Sequence, residues 1–122
     1  MSQDVGGAQR GPEQPSPTTQ ERVAQNEAAF RDLNERIADG RWPGEEEEPS
    51  AFRCECASLG CNRLVEVPLA VYEGVRADPR HFLLIPGHQI PAVEVVVDEG
   101  DGYIVVEKQG IAGEVAEATD PR

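Results

Sequence analysis

Apolar residues recur at two different periods along this chain, and the periods divide it into a helical first part and a strand-rich remainder. Val23, Phe30, Leu33 and Ile37 fall on one face of a helix, and Thr18 or Thr19 is suited to cap its start. With Val23 at heptad position a, Phe30 and Ile37 are also at a, Leu33 is at d, and Asn26 takes the other d. The pattern predicts one amphipathic helix over 21–40, stopped by Gly40 and by Pro43-Gly44. From Ala51 the period shortens. Residues 52–56 alternate in character as a strand does, and 64–67 read as a second strand. Pro68 suits the opening of a short helix over 69–75, whose Leu69, Tyr72 and Val75 share a face, and Asp78-Pro79 closes it. An apolar run over 81–85 ends at Pro86-Gly87. Two valine-rich strands, 93–97 and 103–107, flank a hairpin loop over 98–102.

These elements predict an α+β fold: an N-terminal amphipathic helix plus a small antiparallel β-sheet with one short helix. The segments between them complete the organisation. Residues 1–20 are rich in Pro, Gly, Ser, Thr and Gln without an aromatic residue, and read as a disordered tail. Residues 41–50, with Pro43, Gly44, four consecutive glutamates and Pro49, read as a solvated acidic linker. The compact part is then 51–108, and 109–122 reads as a frayed acidic tail.

Charge narrows the function classes. Among 122 residues, 23 are acidic and 11 basic, and the formal net charge is −12. An acidic surface repels phosphate backbones and anionic lipid, so the chain is expected to bind neither nucleic acid nor membrane. Its apolar runs are shorter than the roughly 20 residues of a membrane helix, and a signal-peptide pattern is missing at the start, which suggests the cytoplasm. A domain of about 70 residues is marginal on its own core and calls for an additional staple.

The cysteines and histidines supply a candidate for that staple. Cys54, Cys56 and Cys61 lie within eight residues, and His81 and His88 follow. On an extended segment, residues two apart point to one side, so Cys54 and Cys56 can offer both sulfurs to one ion, and Gly60 can turn Cys61 back toward them. His88 completes a zinc shell of three sulfurs and one nitrogen, because Pro86-Gly87 forms a turn that aims its ring. His81 is the alternative fourth ligand. Other uses of the cysteines remain open: small buried hydrophobes, a thiol-based redox centre helped by Arg53 and Arg63, or a two-iron cluster. A disulfide framework is disfavoured by the odd count and by the strained ring of a Cys-X-Cys bridge.

Taken together, Asn26-Glu27, Phe30-Arg31 and Asn34-Glu35 on the helix, Cys54-Glu55-Cys56 with Cys61, and Pro86-Gly87-His88 resemble a group of short acidic proteins common in actinobacteria. The same resemblance takes in Tyr72, Val75-Arg76, Asp78-Pro79, His81-Phe82 and 105–108, and it spans about residues 21–108. It implies no activity. At 93–97 it would imply a helix with more charge, whereas Val95-Val96-Val97 favours a strand.

Enzyme signatures are missing: the chain has no phosphate-cradling glycine loop, no nucleophile elbow and no His-Glu-X-X-His. A catalytic zinc held by three cysteines, with Glu55 as base, is disfavoured, because a fourth protein donor is at hand and three thiolates quench the ion's acidity. The expected function is therefore a small zinc-stabilised adaptor or regulatory protein, non-catalytic, acting through protein–protein contacts. Its expected surface for a partner or for self-association is the helix stripe Val23, Phe30, Leu33 and Ile37, held away from the metal-binding part by the linker. The alternative is a thiol-based redox protein or sensor using Cys54, Cys56 and Cys61.

Overall fold

A computed structural model describes residues 17–40, 44, 47–58 and 60–122, so the first sixteen residues of the tail expected over 1–20 and half of the expected linker lie outside the described residues, while 17–20, expected in that tail, already belong to the first helix. The order of elements is α1 (Pro17–Asp39), β1 (Pro49–Arg53), β2 (Leu64–Pro68), α2 (Leu69–Val75), β3 (His81–Leu84), β4 (Glu94–Gly100), β5 (Tyr103–Lys108) and α3 (Gly110–Ala118). The α+β class holds, with three helices and two antiparallel sheets in place of two helices and a single sheet. One sheet is the pair β1-β2, and the other has the order β3-β5-β4. Phe52, Val65, Val67, Tyr72, Phe82, Leu84 and Val106 meet between them in the main core, where the Phe52 and Tyr72 rings stack at 4.4 Å.

The chain crosses from one sheet to the other at the cysteines. β1 pairs with β2 from Pro49↔Pro68 to Arg53↔Leu64 and then leaves the ladder. The Cys54 N–H still reaches the Arg63 carbonyl at 3.0 Å, but the Glu55 N–H goes to the Leu83 carbonyl of β3 at 2.8 Å. The strand expected over 52–56 therefore begins earlier, at Pro49, and ends before the cysteines. Its alternation persists through the crossing, because the backbone stays extended to satisfy both sheets.

Helix α1 belongs to the core, contrary to the expected separation by the linker. Its buried residues are Ala24, Glu27, Ala28, Arg31, Asn34 and Ala38, whereas Leu33 is 42% exposed, and Val23, Phe30 and Ile37 are only half-buried. The buried face is the expected heptad moved by one residue, about 100° around the helix. A polar face can be buried because each polar side chain on it finds an ion-pair or hydrogen-bond partner from a distant part of the chain, although Arg31 Nε is left without one. Lys108 forms ion pairs with both Glu27 and Glu94. Arg31 donates to the carbonyls of Pro79 at 2.7 Å and Ala116 at 3.0 Å, with its guanidinium 4.7 Å from the centre of the Phe82 ring. Small residues let the neighbouring helix approach.

That neighbour is α3, which replaces the frayed tail expected over 109–122. Ala112, Gly113 and Ala116 are its buried residues, and a Cβ on Gly113 would run into the Arg80 guanidinium and the Lys108 carbonyl. Beyond α3 the chain stays docked: Asp120 pairs with Arg76, and Arg122 pairs with Glu35 and Glu73. The hairpin expected over 98–102 is tighter than the sequence suggested. Gly100 already pairs with Tyr103, leaving Asp101 and Gly102 as the turn, with Gly102 at φ 82°.

Candidate metal centre

Cys54, Cys56, Cys61 and His88 come together, with one ligand atom from each lying within 4.8 Å of all the others. Three local structures bring this about. The extended crossing after β1 presents Cys54 and Cys56. A turn closed by the Cys61 N–H on the Ser58 carbonyl, 3.1 Å, returns Cys61 to them. The third is a turn over 85–88 in which the His88 N–H reaches the Ile85 carbonyl at 3.1 Å, with Pro86 and Gly87 at its centre and Gly87 at φ 92°. A side chain at residue 87 would strain that turn. His88 Nδ1 lies 3.6 Å from Cys54 Sγ and 3.6 Å from Cys61 Sγ.

Backbone donors surround the sulfurs. The Ile85 N–H donates to Cys54 Sγ at 3.2 Å. Hydrogen bonds from the backbone at Ser58 and Arg63 favour the thiolates of Cys56 and Cys61 respectively. Without a cation, burial pushes the Cys54 thiol up to about 12 and raises that of Cys56. Cys61 is the most accessible of the three; its burial, the largest single influence, raises its thiol, but the Arg63 backbone, its sulfur neighbours and Arg53 together hold it below the usual range. A bound cation reverses the burial penalty, since it supplies the missing counter-charge within bonding distance.

Helix α1 supports this loop at three points. Asn26 Nδ2 donates to the Ala57 carbonyl at 3.4 Å. The Arg53 guanidinium, stacked 4.0 Å from the centre of the Phe30 ring, donates to the Cys61 carbonyl. Asn34 receives the Arg53 N–H at 2.7 Å and donates to the Arg53 carbonyl at 2.8 Å. Glu55, between two cysteines, points the opposite way into the core. Its carboxylate accepts from Asn34 Nδ2 at 2.7 Å and from the Leu83 N–H at 2.9 Å, and its burial raises its pKa to about 7 against those bonds and the nearby Arg76 and Arg31. An open pocket of about 690 Å³ borders the cluster and is lined by Cys56, Cys61, His88 and Arg63 among others. Glu55 does not line it.

The other histidine is elsewhere. His81 begins β3 opposite Glu107 of β5, and its Nε2 lies 3.1 Å from Glu107 Oε1 and 3.5 Å from Asp78 Oδ2. His88 therefore lies with the three cysteines, and His81 in a separate group with Asp78 and Glu107. The residues that sequence reading missed are the buried polar ones of α1: Asn34, which ties the helix to the centre, and Glu27 and Arg31, which tie it to β5 and α3. Their signal was present as polar residues at a constant helical spacing, which looks like a solvated face until the partners are known. Among the described residues no helix is long and apolar enough to cross a membrane. No family model, no curated protein and no solved structure matches this chain.

Proposed function

We propose that the ion is zinc and that the protein is a small zinc-stabilised adaptor or regulatory protein, non-catalytic, that works in the cytoplasm through contacts with other proteins. The observation carrying the zinc reading is the pair of 3.6 Å sulfur–nitrogen separations. A tetrahedral zinc with bonds of about 2.3 Å to sulfur and 2.0–2.1 Å to nitrogen requires sulfur–nitrogen edges of about 3.5–3.6 Å. Four protein donors close the shell, and a closed shell leaves no position for a substrate or an activated water. That favours a structural ion. Structural zinc contributes its binding free energy to folding, which suits a small core carrying several buried charges.

The adaptor role draws support from the same closed shell. The thiol-redox reading has the partly exposed Cys61 in its favour, but its two candidate partners, Cys54 and Cys56, are buried thiols raised by desolvation. Elemental analysis after anaerobic purification tests the proposal. About one zinc per chain is expected; less than about 0.2 equivalents of any metal overturns it, and stoichiometric iron redirects it to a cluster.

A further inference from the structure

We propose that the outer edge of β4 takes up an extended segment of a partner protein as an added strand, and that this segment alternates apolar with basic residues. The proposal rests on the adaptor reading and names its surface. β4 is the last strand of its sheet, paired with β5 on one side only. All its residues after Glu94 are exposed, among them Val95 at 52%, Val96 at 40% and Val97 at 45%. Sheet edges are ordinarily masked by charge, by brevity or by a covering element. Three consecutive exposed valines on a seven-residue edge strand are the opposite: apolar surface beside backbone groups that no other described strand uses.

A groove of about 450 Å³ between α2 and the β3-β5-β4 sheet reaches β4 at Val97 and Asp98. The register shift between Val96 and Asp98 takes Val97 out of the ladder, and Val97 borders the groove, with Val71, Tyr103 and Val105 as apolar wall and Asp98 and His81 as its polar groups. Bulges re-aim side chains in this way. In strand addition the main-chain bonds supply affinity, and pockets for alternate side chains supply specificity. Here the pocket meets β4 at its bulge, at Val97 and Asp98.

Charge selects the occupant. Asp98 faces the groove, Glu99 and Asp101 follow along the chain, and Asp78 and Glu107 surround His81. The single lysine is buried between Glu27 and Glu94, and the nearby Arg80 is paired with Glu117. A second copy, also at −12, would set like carboxylates against one another, whereas a cationic strand neutralises them.

The test uses the full-length, zinc-loaded protein and two synthetic heptapeptides, one alternating lysine with valine and one alternating glutamate with valine. Nitrogen-15 NMR titration and amide hydrogen exchange are the readouts. The lysine peptide is expected to saturate below about 1 mM, to protect the β4 amides and to shift Val97 and Tyr103, while the glutamate peptide leaves them unchanged. Asp98→Lys and Val97→Lys, both at exposed positions, are expected to weaken binding at least about fivefold with zinc content and melting temperature preserved. Absence of saturation, binding that maps elsewhere, or binding indifferent to both variants overturns the proposal. So does sedimentation showing self-association through β4, which would assign the edge to a second copy. A host protein captured equally by wild type and by the doubly substituted chain overturns the β4 surface and leaves the adaptor reading standing.

Discussion

Asn34 Nδ2 on α1 reaches Glu55 Oε2 at 2.7 Å, directly between the two cysteines of the extended crossing. The long helix and the ligand loop are thus one hydrogen-bonded unit. Both residues are fully buried, and the same amide also holds the Arg53 backbone, so no water is at hand to replace it.

Asn34→Ala is therefore expected to destabilise the protein by about 2–3 kcal/mol, because it strands a buried carboxylate oxygen and an amide pair at once. It is also expected to lower zinc retention, since support behind the ligands orients them. Urea unfolding of the zinc-loaded protein checks the first part, and competition with a chelator checks the second. Unchanged zinc retention in a destabilised variant would mean that Asn34 holds α1 only.

His88→Ala and His81→Ala are expected to separate cleanly. The first removes the nitrogen that lies 3.6 Å from two sulfurs and should lower zinc affinity about 100-fold or more, by analogy with the 10-fold to 100-fold losses seen when mere supporting groups are removed. The second disturbs only the contacts with Asp78 and Glu107 and should leave affinity within about twofold of wild type. Chelator competition on both variants decides it.

Glu27 gives the stability a pH dependence. Burial raises its pKa from 4.5 to about 7, against the attraction of Lys108. Between those values the folded chain keeps a proton that the unfolded chain has released, so stability from this group falls as pH rises from about 4.5 to 7. The loss is at most about 3 kcal/mol at 1.36 kcal/mol per unit. Denaturant melts of wild type and Glu27→Gln at pH 5 and pH 7.5, both zinc-loaded, should show a flatter profile in the variant. Parallel profiles would mean that Glu27 stays charged.

Gly113→Ala separates a docked α3 from a frayed one by sign. In a solvated helix the change stabilises by about 1 kcal/mol. Here the added methyl meets the Lys108 carbonyl, and a backbone atom cannot move aside as a side-chain end does. A loss of about 1–3 kcal/mol is expected, read as a lower melting temperature; a rise would mean that α3 detaches in solution.

The cluster of Cys54, Cys56, Cys61 and His88 was legible in the sequence because the turns that aim its side chains are local. Two cysteines two apart on an extended chain face one way, and Pro86-Gly87 sets the turn before His88 whatever the rest of the protein does. The short helix after Pro68 and the valine-rich hairpin were legible for the same reason. The face of α1 was not. Hydrophobicity marks Val23, Phe30, Leu33 and Ile37 as the contact face of a detached helix, but α1 packs on its own domain, turned by one residue, and buries Glu27, Arg31 and Asn34 instead. A buried polar group costs little once it is paired, and these partners, Lys108, Ala116 and Glu55, lie 21 to 85 residues away in the chain. The same distance hid α3, whose small residues read as a tail until α1 lay against them. It also decided the histidines, since only the pairing of β3 with β5 sets His81 beside Glu107. Short-range stereochemistry was enough for the ligands; complementarity between remote polar groups needed the assembled chain.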